Sequence, residues 1–410
     1  MRAPPKIVIA LAVLAGCSHD PGAGGDDTQV EIDAGVDAAP DAPGTTLVDP
    51  DWPADTAIPA AFDFPPYLTL LDPTTVVVNW RSVAATTGKV RFGTTDAYGT
   101  ELASATSANL HHVMLPGLAA ATAYYYEVSI DGTTAARKGV FVTPGRTDWR
   151  FMHSGEYHAP SESTNVAKFA GSIRAFRPHV IVESGDMVDD GNNLSHWRSY
   201  LRTAAPWISN VLLLPAQSNH VNGTGGNSVF MDLFVVPNNE RWYTTRLGQI
   251  EVFTLDSTYA ANTDIMTAEV PWLAQKAAAA HDGTDDPKFV IAAWHHPACS
   301  SQYYSRQGER TWVQTNFVNT MKTAGGVDLI LAAHDKYYER STITGGIVHV
   351  ITNIGNISPE IPGGNHAACT AIKTDRTVQS VAFVTVTGST LSARVLTETG
   401  AELDTFTITK

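Results

Sequence analysis

Five short polar blocks in this sequence hold residue types that bind cations. They are Gly155-Glu156-Tyr157-His158, Gly185-Asp186-Met187-Val188-Asp189, Ser218-Asn219-His220-Val221, Trp294-His295-His296-Pro297 and Ala333-His334-Asp335-Lys336. Carboxylate, amide oxygen and imidazole together suit divalent or trivalent first-row metals. Two such ions about 3.5–4 Å apart can clamp an in-line displacement at phosphorus. Phosphoryl transfer needs charge neutralisation and an aligned hydroxide more than covalent chemistry. One histidine near a strand end is most often structural, but five blocks in succession point to a metal-dependent hydrolase.

Each block follows a run that reads as a strand: Arg150–Ser154, Val180–Ser184, Val211–Pro215, Phe289–Trp294 and Val327–Ala333. α/β sheets place their sites at strand C-termini. Helical segments fall between them, at Val166–Phe176, Leu194–Ala204, Pro271–Ala280 and Thr311–Thr323. Alternation of this kind predicts an α/β layered fold over residues 147–410. Upstream, Thr75–Trp80, Lys89–Phe92, His112–Leu115, Thr122–Ile130 and Lys138–Thr143 read as short strands with turn signals between them. They predict an all-β sandwich over residues 59–146.

With 27 basic and 41 acidic residues the chain carries −14, and it has no basic run to displace counterions, which argues against nucleic acid. Residues 19–50 hold eight acids and no Lys or Arg. The segment 18–58 is expected to be a disordered acidic tether. Three cysteines are too few for a disulfide scaffold.

The order and spacing of the five blocks resemble calcineurin-like metallophosphoesterases, and most of all purple acid phosphatases. The upstream series Trp80, His112, Leu118, Tyr124 and Phe141 is similar to the fibronectin type III-like domain that precedes their catalytic domain. Arg241-Trp242-Tyr243 with Leu255-Asp256-Ser257 looks like the family's connecting hairpin. The resemblance implies two mixed β-sheets sandwiched by helices, preceded by the all-β sandwich. It implies hydrolysis of phosphomonoesters by a metal-activated hydroxide, with one or two ions of Fe, Zn or Mn per chain. Asp186 resembles the carboxylate that bridges both metals. Asn219, His295 and His334 resemble the remaining ligands of the second metal, and His220 the residue that meets the phosphate or the leaving group. Glu156 and His158 fall at first-metal positions.

The first-metal positions depart from the family pattern. Glu156 stands where the family has Asp, and Asp189 where purple acid phosphatases have Tyr, so no purple colour is expected. Lys336 replaces the second His of the Gly-His-x-His motif. Protonated Lys has three donors and no lone pair, so it repels a cation. Its ammonium either swings away or occupies the first-metal position beside Glu156 and Asp186, replacing a metal charge; the second arrangement is favoured. Ser218, Val221 and Ala333 replace family Gly, Glu and Gly. These changes motivate an alternative: a non-catalytic pseudo-phosphatase serving as a surface binding protein.

The first residues read as an export signal, with Arg2 and Lys6 before the apolar run Ile7–Leu14. Leu14-Ala15-Gly16-Cys17 resembles the lipobox of bacterial lipoproteins. The resemblance implies a lipoprotein signal segment over residues 1–17, cleavage before Cys17, lipidation of that thiol, and a lipid-anchored place in the cell envelope. Ser18 fits sorting to the outer membrane or surface. Export permits a Cys299–Cys369 disulfide, and two buried thiols remain the other option. His153 reads as structural, His296 as packing or surface because it faces away from His295 along a strand, His366 as loop, and Glu339-Arg340 as a structural ion pair. The glycine-rich stretch 222–226 reads as a flexible rim.

Overall fold

Val180–Glu183, Leu212–Pro215 and Phe289–Ala293 are buried at every residue, as parallel strands covered on both faces require. The computed structural model of the protein describes residues 49–222, 228–258, 264–301, 306–358 and 365–410. The export signal, Cys17 and most of the proposed tether lie outside the described residues, as does most of the glycine-rich rim.

Two large sheets dominate. One has nine strands, in the order Glu402–Thr409, Thr390–Thr397, Ser380–Thr387, Asp148–Ser154, Val180–Glu183, Leu212–Pro215, Phe62–Asp72, Thr75–Thr86 and Ala108–Leu115. The other runs Tyr243–Leu247, Ile250–Thr254, Phe289–Ala293, Leu329–Ala332, Ile347–Ile351, Tyr338–Ile343 and Cys369–Asp375. In both, a parallel centre is flanked by antiparallel strands, so both sheets are mixed.

Strand alternation divides the core. Phe289, Ile291 and Ala293 share one buried cluster with the nine-stranded sheet, as do Leu329 and Leu331. Val290, Ala292 and Ile330 point the other way and pack with Leu273, Ala277, Val313, Phe317 and Met321, which lie on or between the helical segments 270–279 and 307–323. Trp197, Tyr200 and Leu201 form the buried face of the helix Leu194–Thr203. This is the sheet-on-sheet arrangement with covering helices that the sequence predicts.

The N-terminal β region is all-β, as the fibronectin type III-like expectation has it, and its strands fall in two sheets that share one core. Thr100–Ala103, Gly88–Gly93, Ala123–Ile130 and Ala136–Val142 form a separate four-stranded sheet. Its companion strands instead join the nine-stranded sheet, because Phe62–Asp72 pairs in parallel with Leu212–Pro215. The tether needs correction at its end. Residues 49–58 lie against the body: Asp49 bonds Arg146 at 2.6 Å, Arg150 at 2.6 Å and His179 at 3.1 Å, while Trp52 and Ile58 pack on the core. Two arginines and a histidine hold an acidic residue that composition alone assigns to solvent. Glu339 and Arg340 are likewise not paired with each other. Neighbours in a strand face opposite ways, so Arg340 binds Asp404 at 2.7 Å while Glu339 accepts from Tyr337 at 2.5 Å.

Cys299 and Cys369 form a disulfide, which ties the loop carrying His295 and His296 to the strand Cys369–Asp375.

Candidate metal centre

The five polar blocks converge at the C-terminal ends of parallel strands from both sheets. Their turns are tight. Glu156, His158, Asp186, His334 and Lys336 all have positive φ, between 44° and 67°. Non-glycine residues adopt that region at a cost of about 1–3 kcal/mol each and cluster there at functional sites. Gly185, at φ 88°, has no room for a side chain: a Cβ there would meet Ser218 Cβ at 2.6 Å and His295 Nδ1 at 3.0 Å. Backbone bonds lace the turns together, from the Glu156 N–H to the Gly185 carbonyl at 3.1 Å, from the His158 N–H to the Asp186 carbonyl at 2.9 Å, and from the Ala333 N–H to the His295 carbonyl at 3.1 Å.

Glu156, Asp186, His295 and His334, all buried, each offer a ligand atom within 4.8 Å of the others. Asp186 Oδ2 lies 3.3 Å from His295 Nε2, which lies 3.0 Å from His334 Nδ1 and 3.8 Å from Glu156 Oε1. A second group, His158, Asp186 and His220, shares the same aspartate. His158 Nε2 is 3.6 Å and His220 Nε2 is 3.9 Å from Asp186 Oδ2. Two donors on one ion with bonds of about 2.0–2.2 Å stand about 3–4 Å apart. The spacing of both groups fits that.

The tautomers fit as well. His295 Nδ1 lies 2.7 Å from the Ser184 carbonyl and must donate to it. With Nδ1 so engaged, Nε2 faces two carboxylates and the His334 imidazole, an arrangement that positive charge satisfies. Burial opposes charge on His295, yet Asp186 and Glu156 hold its pKa up.

The electrostatics agree. Burial opposes charge on His158, but its hydrogen bond to Glu156 and the nearby Asp186 hold its pKa up at about 9. Burial would raise Asp186, yet His295, His220 and His158 hold it well below the usual carboxylate range. Burial, then His296, His295 and Arg306, push His334 well down, which keeps it neutral with a lone pair to give. Two buried carboxylates that draw His158 and His295 toward their charged forms, beside a neutral His334, make a pocket that favours positive charge.

The site differs from the sequence expectation in several ways. Glu156 spans the two groups, with Oε2 2.9 Å from His158 Nε2 and Oε1 accepting the His334 backbone N–H at 2.7 Å. Asn219 opens the short helix Asn219–Asn222 and is exposed, while Glu156 belongs to the buried quartet. His220 sits at the rim, its side chain 37% exposed, with Nδ1 2.8 Å from the Asp189 carbonyl. Lys336 extends its ammonium to 3.8 Å from Glu156 Oε2.

Three contributors were not legible beforehand. Asp189 places Oδ1 3.3 Å from His158 Nδ1, the nitrogen opposite Glu156, and so orients that ring. Ser218 accepts the Asp186 backbone N–H at 2.8 Å, a role a glycine there could not fill. His296 is buried against His334, with ring centroids 4.4 Å apart. Strand alternation misplaced it because the strand ends at Ala293. His153 is structural, bonded to Ser184 at 2.9 Å, and His366 accepts the Ala368 N–H within its own loop.

A mixed-sheet α/β sandwich with carboxylate and imidazole clusters at its strand ends defines the metallophosphoesterase class of fold, and comparison with known proteins places the chain within it. Residues 65–143 match the family described as purple acid phosphatase, N-terminal domain. The purple acid phosphatase PPD1 from yellow lupin (Lupinus luteus) seeds superposes with a TM-score of 0.69 at 18% identity, covering 84% of this chain and 74% of that one. The structure of PhoD gives 0.62 at 12% identity, covering 87% and 90%. The protein thus has the calcineurin-like, purple acid phosphatase-like metallophosphoesterase fold with an N-terminal domain of the purple acid phosphatase type. Two uncharacterized proteins of Mycobacterium tuberculosis, from strains CDC 1551 / Oshkosh and ATCC 25618 / H37Rv, are each 26% identical over 281 residues. These matches cover 58% of this chain and 52% of theirs, so the chain spans about half the length of the curated relatives it matches.

Proposed function

We propose that the protein is an exported, metal-dependent phosphoesterase acting on phosphomonoesters. The observation that carries this reading is Asp186, a buried carboxylate shared by two donor groups at strand ends. Glu156, Asp186, His295 and His334 would hold one ion, and His158, Asp186 and His220 would flank a second. When bound, two such ions supply charge neutralisation at the phosphate and an activated hydroxide for in-line displacement. The Ser184 carbonyl aims His295, and Glu156 and Asp189 fix His158 from either side. His220 donates Nδ1–H to the Asp189 carbonyl, which leaves Nε2 at the rim to meet the phosphate or the leaving group. Cys17 would carry the lipid that anchors the chain to the bacterial envelope, with residues 18–48 as spacer.

One observation favours a second reading, a pseudo-phosphatase that binds at the surface without turnover. It is the Lys336 ammonium 3.8 Å from Glu156, where it would stand in for a metal charge. Metal content per chain, measured with hydrolysis of a chromogenic phosphate ester, separates the two. Two ions with ready turnover support the enzyme. One ion without turnover, and activity regained in Lys336→His, supports the second. A chain that takes up no ion refutes both.

A further inference from the structure

On the far side of His334 lies another set of donors. His296, Glu309 and His334 each bring a ligand atom within 4.8 Å of the others. They come from the loop after Ala293, from the helix Gln307–Val313 and from the turn after Ala332. His334 turns Nδ1 toward His295 and Nε2 toward Glu309, whose Oε2 is 3.4 Å away. Both facing atoms, His334 Nε2 and Glu309 Oε2, are buried and lack a hydrogen-bond partner. His296 is held in place by Ser257 Oγ, 2.9 Å from its Nδ1.

A charge-assisted N–H···O bond would close to about 2.7–2.9 Å. Two ligands on tetrahedral zinc, with bonds of about 2.0–2.1 Å, stand about 3.3–3.4 Å apart. The gap between His334 and Glu309 matches the second spacing. Two imidazoles and one carboxylate with an open fourth position also form a recurrent zinc set. We infer that His296, Glu309 and His334 form a further divalent-cation site, back to back with the Glu156–Asp186–His295–His334 cluster and sharing the His334 ring.

The shared ring sets the order of filling. A neutral imidazole has one proton, so an ion on each nitrogen requires that proton to pass to solvent. Arg306 and Arg310 stand close by, though both direct charge to Asp335, at 2.7 Å and 3.7 Å. The outer site is therefore the weaker one, and its occupancy loosens the inner ion.

Zinc titration by calorimetry, with metal content after dialysis, tests this in the full chain. Glu309→Gln and His296→Gln alter the outer site alone, and Asp186→Asn alters the inner groups. The expected result is that wild type binds one weak equivalent that both outer variants lose, while Asp186→Asn keeps it. Thermal unfolding without zinc checks that each variant folds, and His296→Gln decides the matter if Glu309→Gln does not. The inference is overturned if His296→Gln and Glu309→Gln keep every wild-type equivalent, or if Asp186→Asn binds no zinc. It is also overturned if Glu309→Gln weakens only the tight equivalent while His296→Gln matches wild type, since Glu309 then merely orients His334. These readouts are metal binding alone, so they stand apart from whether the chain hydrolyses phosphate esters.

Discussion

Lys336 is the residue whose replacement should change the centre most. Its Nζ lies 3.8 Å from Glu156 Oε2. Two unit charges at about that distance interact by about 4 kcal/mol at an effective dielectric of about 20. A divalent ion flanked by His158, Asp186 and His220, next to Glu156 Oε2, would sit at a similar range and carry twice the charge, so a static ammonium opposes it by up to about 8 kcal/mol. The side chain is 21% exposed and its flexible stem can swing toward solvent, which lowers the real penalty. We expect about 3 kcal/mol to remain, or roughly a 100-fold change in affinity. Lys336→Gln removes the charge without adding a ligand, and Lys336→His removes it and adds a lone pair. Calorimetric zinc titration should show the second ion binding about 100-fold tighter in Lys336→Gln and tighter again in Lys336→His. Stability of the metal-free protein should move the other way, because Glu156 loses a neutralising neighbour. A second-ion affinity in Lys336→Gln within threefold of wild type refutes the electrostatic account. Equal affinity in the Gln and His variants refutes the idea that position 336 reaches the ion.

Asp186→Asn removes the carboxylate common to both donor groups, so metal content should fall at both groups together, by at least tenfold in affinity, in a protein that still unfolds cooperatively. Glu183 is fully buried one turn from the site, its Oε2 2.6 Å from the Tyr200 hydroxyl, and burial raises its pKa to about 8 against that bond. The folded state holds its proton more tightly than the unfolded chain does, so this contribution is complete below about pH 4.5 and is lost as pH rises through 8. Urea unfolding of wild type should weaken by a few kcal/mol (order of magnitude) from pH 5 to 8 relative to Glu183→Gln, which keeps an acceptor for Tyr200, and parallel pH profiles would refute it. Replacing Cys299 and Cys369 together by Ser opens a crosslink spanning 70 residues and should cost up to about 4 kcal/mol in chain entropy, read as a lower Tm without loss of fold.

The five blocks were legible because each couples an apolar run to a polar turn, and both signals are local. Parallel strands buried on two faces leave little choice of residue, so Val180–Glu183 and Leu212–Pro215 announce themselves. The residues that brace the ligands were not legible. Glu309 reaches His334 from a helix that begins at Gln307, and nothing in its own segment marks it. The parallel pairing of Phe62–Asp72 with Leu212–Pro215 joins segments more than 140 residues apart, and no local pattern encodes that register. Composition assigns Asp49 to solvent, although two arginines, Arg146 and Arg150, and His179 wait for it elsewhere in the chain.

Strand alternation fails at His296 and holds at Glu339 and Arg340. Alternation turned His296 away from His295 on paper, but both residues follow the last paired position, Ala293, and there the backbone no longer alternates. Within the strand Tyr338–Ile343 alternation does hold, and it separates Glu339 from Arg340 onto opposite faces. The difference is physical. Alternation is imposed by the hydrogen-bonded ladder, and the centre is built from residues beyond the ladder's end. There the turns adopt positive φ at five non-glycine positions, and each side chain's direction is set by its neighbours in space. A centre placed at strand ends is therefore easy to find in a sequence, while the aim of its individual side chains is not.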